Sequence, residues 1–206
     1  MDQLLLTPTV YLLIAANAAA SFIAFSNAAV LNRFLFHVGP ILRGKEYDRV
    51  ITSGFLHGGV LHLFVNMYVL WMFGRPIEAG LGPVSFALIY FAALTGGSLW
   101  SLMENRRKSD YRALGASGAT SGIVMAFILF RPLEPLMIFP IPFFMPAVVI
   151  GIGFVVISAV LAQRENKVIG HEAHLGGALA GILATIAIEP AALSTFSSEI
   201  VKALGR

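Results

Sequence analysis

Cysteine is absent from the 206 residues. That excludes disulfides, thiolate metal sites and a cysteine nucleophile. Charge is almost as scarce. Only 12% of the residues are Asp, Glu, Lys or Arg, against about 25% in a soluble domain. The 14 basic and 11 acidic residues form no long block of one sign, so nothing points to nucleic acid as a partner. The apolar runs also lack the strict alternation of barrel strands, which leaves helices as the only way to cross a bilayer. What is abundant is apolar surface: 57% of the chain is hydrophobic and the mean hydropathy is +0.81. The chain reads as an integral membrane protein.

Six apolar segments can be drawn, from about Thr7 to Val30, Leu56 to Phe73, Pro83 to Leu102, Ala116 to Phe130, Phe143 to Leu161 and Ala173 to Ile188. Each approaches the ~20 residues that span a ~30 Å hydrocarbon core, the fourth and sixth being short. The expected fold is all-α, a six-transmembrane-helix bundle forming one domain over residues 1–206. The N-terminal run is read as a span and not as a cleaved leader, because no Lys or Arg precedes Arg33 and the run is too long for an h-region. The connection from Leu31 to Phe55 is long and charged, as functional or separately folded loops are. The connection after Arg131 carries five prolines, from Pro132 to Pro146, and cannot be one straight helix.

Polar residues inside apolar spans are costly unless they face a partner or a wet cavity. Segment two carries His62 and Asn66, segment four carries Ser117 and Ser121, and segment six opens with His174. Even-numbered spans of such a bundle run in the same direction, so depths can be compared. Ser117 lies 14 residues before Arg131, His174 15 before Glu189, and His62 13 before Arg75. At ~1.5 Å per residue all three sit about 20–22 Å above the far interface. Asn66 shares the His62 face, about 6 Å deeper.

A serine hydroxyl becomes a nucleophile when a base, most often histidine, reaches it. Attack on an amide creates an oxyanion, which His62, Asn66 and the backbone N–H groups opening segment four could stabilise. The bland reading stands beside this one. Serines and glycines in membrane helices are usually packing residues, and Gly177 and Gly181 are read so, drawing segment six against segment four. His57 is read as a satisfied interhelical partner. Two motif matches fail. "HEAHL" at His171 spaces its histidines by three, not the four of a zinc protease. "GASGA" at Gly115 lacks the closing glycine of a nucleophile elbow, and no strands flank it.

Taken together these residues resemble the rhomboid family of intramembrane serine proteases. The resemblance is carried by Gly115, Ala116, Ser117 and Gly118, by His57, His62 and Asn66 in "HGGVLHLFVN", by Ala173, His174, Gly177 and Gly181 in "AHLGGALAG", and by Glu78 and Arg49. It implies that Ser117 is the nucleophile and His174 the general base and acid of a dyad without a carboxylate. His62, Asn66 and the Ser117 N–H would form the oxyanion hole. The first connection would be a partly embedded structural element, and segment five with "AQRENKVIGHE" would gate entry. The substrates implied are transmembrane segments of other membrane proteins in the lipid bilayer, with neither metal nor cofactor. The alternative is a catalytically silent relative that binds membrane helices without cutting them.

Two residues depart from the family pattern. Ser121 stands where an aromatic usually packs on the catalytic histidine, and its hydroxyl is a candidate to hold the imidazole instead. Asp48 stands where a tryptophan precedes the arginine. The charge distribution also departs. Connections one, three and five hold most of the Lys and Arg, which by the positive-inside rule faces them to the cytoplasm. The resemblance implies the opposite, an active site opening to the outer face of a bacterial-type inner membrane, and that orientation is the expectation adopted.

Overall fold

A computed structural model describes residues 7–137, 143–153 and 171–205 and is mostly helical. Helix α1 (Pro8–Ser26) starts with proline at its first position, where a missing N–H costs nothing. Two of its other orphan N–H groups are capped from far away in sequence. The buried Glu78 carboxylate accepts from Thr9 and Val10, both at 2.8 Å. At Asn27 the chain breaks into β-type dihedrals, and the Asn27 side chain caps α2 (Ala28–Phe34) by accepting from Ala29 and Val30.

The first connection is a folded unit. Strand β1 (Phe36–His37) pairs antiparallel with β2 (Arg112–Ala113) of the third connection, and α3 (Val38–Gly44) and the one-turn α4 (Arg49–Thr52) follow β1. Arg49 is the buried tie. Its guanidinium donates to the carbonyls of Asn32 and Leu35 at 2.9 and 2.8 Å and pairs with Glu46 at 2.7 Å. Asp48 turns outward to Arg33 at 2.8 Å.

Helix α5 (Val60–Asn105) contains the second and third apolar segments in one run of 46 residues. At ~1.5 Å per residue that is about 69 Å, twice a hydrocarbon core. It breaks once, at Gly82, where φ is +82° and ψ 165°. Pro83 follows as the first residue of the second arm. Sequence reading ended the second segment at Phe73 because Arg75 and Glu78 looked like a membrane boundary. The helix continues because both charges are accommodated: Arg75 lies over the Trp71 ring at 4.9 Å and Glu78 caps α1. The turn is made by Gly82 and Pro83 instead.

Helix α6 (Ser117–Phe130) is short. After β3 (Pro135–Leu136) and β4 (Met145–Pro146), which pair antiparallel, helix α7 begins at residue 147 and is described to residue 153. The rest of the fifth segment and nearly all of "AQRENKVIGHE" lie outside the described residues. Helix α8 (His171–Ile188) then bends by 107° into α9 (Ala191–Leu204). Sequence reading missed α9. Its apolar residues Leu193, Phe196, Ile200, Val201 and Leu204 recur at helical spacing among serines and the Glu199–Lys202 pair. Among the described residues, two helices are long and apolar enough to cross a membrane, or three if α8 and α9 count as one bent span.

Helices α5, α6 and α8 form the centre, with α1 against α5. Leu70, Phe86, Ile89, Tyr90 and Ile123 are fully buried there, while Leu61, Phe64, Val84 and Leu183 point outward as a lipid-facing belt requires. Where the central helices touch, side chains are missing. A Cβ on Gly97 would lie 2.6 Å from the Ala173 carbonyl oxygen, and one on Gly122 would lie 2.8 Å from that of Gly177. A Cβ on Gly177 would overlap the backbone of Gly118, and one on Gly181 the backbone of Gly122. The small residues thus set the spacing of the spans.

Candidate active site

The site begins with the strand of backbone entering α6. Gly115 has φ of +124°, which a side chain would strain. A Cβ there would also meet the His62 ring, 2.8 Å from Cε1 and 3.0 Å from Nε2. Glycine is therefore what lets the chain pass the imidazole. The Gly115 N–H donates to the Ser53 carbonyl at 3.0 Å. The next N–H, of Ala116, donates to His57 Nε2 at 3.3 Å.

His57 is structural, as its bland reading held. Because Nε2 accepts, Nδ1 carries the proton and donates to Ser21 Oγ at 2.9 Å; Ser21 in turn donates to the Phe55 carbonyl at 3.1 Å. This relay ties the backbone before Ser117 to α1. Sequence reading missed Ser21, although a hydroxyl inside an apolar span, one turn after Asn17, was the available signal.

His62 lies edge-on to His57, ring centroids 5.0 Å apart. Its Nδ1 accepts from the Gly58 N–H at 3.3 Å, which leaves the proton on Nε2, the nitrogen nearest Gly115. One turn on, Asn66 is buried. Its Nδ2 donates to the His62 carbonyl at 3.0 Å and its Oδ1 accepts from Thr120 Oγ1 at 3.3 Å. One Nδ2 hydrogen stands outside those two bonds.

Ser117 is the first residue of α6 and half-buried, where N–H groups without helical acceptors carry partial positive charge. Its carbonyl accepts from Ser121 Oγ at 2.6 Å and Thr120 Oγ1 at 3.2 Å. The Ser121 proton is therefore committed to its own helix, not donated to an imidazole as the sequence suggested. His174 stands in the first turns of α8, half-buried, with Nε2 shielded from solvent.

The levels follow from four contacts. Gly118 meets Gly177 and Gly122 meets Gly181, so α6 and α8 run parallel in step, and Ser117 is within about 3 Å of His174 along the helix axes. His62 meets Gly115 and Asn66 meets Thr120, so the first arm of α5 runs in step too. An acid lies near this level, in the first turn of α8. Glu172 is 2% exposed, and its Oε1 accepts from Asn105 Nδ2 at 2.8 Å and the Tyr111 hydroxyl at 2.6 Å. Burial and the hydrogen bond to this carboxylate push the Tyr111 phenol well above its ordinary range. Among the described residues no three His, Asp or Glu side chains are grouped to hold a metal ion.

A family model described as Rhomboid domain matches residues 44–190, most of the chain. The chain belongs to the rhomboid family. Among its relatives is RHOMBOID-like protein 12, mitochondrial, of Arabidopsis thaliana, 30% identical over 190 residues, covering 84% of this chain and 56% of the relative. Rhomboid protein 1, mitochondrial, of Saccharomyces cerevisiae is 32% identical over 137 residues, 65% of this chain and 40% of the relative. Rhomboid protease GluP of Bacillus subtilis is 29% identical over 184 residues, 87% of this chain and 33% of the relative. This rhomboid thus spans about half or less of the length of these relatives. Two of the three are named as mitochondrial, so membership of the family does not support the bacterial inner membrane expected from the sequence. It does support an integral membrane protein.

Proposed function

We propose that this rhomboid is an intramembrane serine endopeptidase that cuts transmembrane segments of other membrane proteins. What supports the reading is the register of three parallel helix starts: on it Ser117, His62 and His174 would share a level, with Asn66 one turn deeper, beside a backbone cleared of side chains. In the proposed reaction Ser117 Oγ attacks the carbonyl carbon of the scissile amide while His174 takes the hydroxyl proton. The oxyanion accepts from the Ser117 N–H, from His62 Nε2–H and from the remaining Asn66 Nδ2–H, each worth about 3–4 kcal/mol in a dry site. The C–N bond then breaks, and the amine leaves with the proton held by His174. Water attacks the resulting ester, again losing its proton to His174. The acid product departs and Ser117 recovers its proton.

The same proposal covers the whole chain as one membrane domain of six spans, with the active-site end opening to the outer side of its membrane. Ser117→Ala and His174→Ala are each expected to abolish cleavage of a model transmembrane substrate by the chain in proteoliposomes. Full cleavage by either variant overturns the dyad. A wild-type chain that retains the substrate uncut favours the silent helix-binding alternative.

A further inference from the structure

The seam that holds α8 is smooth. Ala173, Gly176 and Gly177 face Gly96, Gly97 and Gly118 nearly backbone to backbone. Such a seam fixes distance, but it offers few knobs to fix rotation or sliding. His174 lies on this helix, so something else must set its height. Glu172, two residues earlier, is about 3 Å away along the axis and is the one acid in the first turn of α8.

Its Oε1 is held by two donors. Asn105 Nδ2 gives one hydrogen to the Ser101 carbonyl at 3.0 Å and the other to Glu172. The Tyr111 hydroxyl accepts from Ser101 Oγ at 3.4 Å and donates to Glu172. Tyr111 is held in turn by the first connection: its carbonyl accepts from the Val38 N–H at 3.2 Å and its ring lies edge-on to Phe36 at 6.3 Å. A buried carboxylate between two donors from two other elements has one place to sit.

We propose that Glu172 is a positioning residue: its hydrogen bonds from Asn105 and Tyr111 pin the start of α8 and so hold the His174 imidazole at the height of Ser117. This rests on the serine-protease reading. The pin also couples the first connection to the site, through β1, Tyr111 and Glu172.

The test is the rate at which a fluorophosphonate labels Ser117 in the full chain in detergent, measured with the final labelled fraction. Glu172→Ala should slow the limiting rate on the order of tenfold to 100-fold, as a misplaced base does, with the half-saturating probe concentration and the final fraction unchanged. Glu172→Gln keeps the acceptor oxygen for both donors and should stay within about threefold of wild type. Tyr111→Phe and Asn105→Ala, which leave the carboxylate in place, should each slow labelling, and these two variants decide the matter if Glu172→Ala does not fold. A purely structural role would lower the final fraction and not the rate, which overturns the inference. Rates within twofold of wild type in the folded variants do so as well. So does a Glu172→Gln rate as low as that of Glu172→Ala, because the charge would then be what counts. A wild-type chain unlabelled at Ser117 overturns the protease reading and this inference with it.

Discussion

Two serine–histidine pairs, the observed Ser21–His57 contact and the proposed Ser117–His174 dyad, stand in opposite surroundings. Ser21 and His57 are buried at 2.9 Å, and each polar group is used: Nε2 on the Ala116 N–H, Nδ1–H on Ser21, and the Ser21 proton on the Phe55 carbonyl. Ser117 and His174 stand at helix starts, half-buried, on a seam stripped of side chains. The residue types are the same. What separates them is their surroundings: the Ser21–His57 brace has each polar group committed to a named partner, whereas the proposed pair lies where the backbone is cleared of side chains.

That contrast can be broken by mutation, most sharply at the proposed oxyanion donors. His62→Ala or Asn66→Ala should lower kcat on the order of 100-fold to 1000-fold with little change in KM, since the contact forms only as charge develops. Steady-state cleavage in proteoliposomes measures it, and equal losses in KM alone would move these residues to substrate binding. Ser21→Ala acts on the brace instead. It leaves a buried N–H and a buried carbonyl unpaired, so the folded state should lose about 1–3 kcal/mol while the surviving folded fraction still cleaves. Thermal unfolding in detergent, read beside activity per folded molecule, separates the two effects.

The same contrast explains what could be read from the sequence. Features set by counting along a helix were legible. The packing of segment six on segment four followed from Gly177 and Gly181, whereas the depth counted from Arg75 did not stand, because that helix runs on to Gly82. Features set by a partner far away in the chain were not. Arg75 and Glu78 looked like the end of a span because nothing local shows that Glu78 caps a helix 68 residues earlier. Glu172 looked like part of a failed metal motif, because Asn105 and Tyr111 are brought to it only by the fold. The Ser121 hydroxyl was assigned to the histidine on its type alone, whereas helix geometry offered it a carbonyl four residues back. Helix α9 was passed over because its charges and serines end the apolar run, although the period of its apolar residues continues.

The most direct test of the central claim is the site of covalent modification by a mechanism-based serine inhibitor, mapped by mass spectrometry on the detergent-solubilised chain. The adduct is expected on Ser117, and His174→Ala should eliminate it while Ser21→Ala leaves it in place. An adduct on another serine, or one on Ser117 that forms equally fast without His174, would contradict the account.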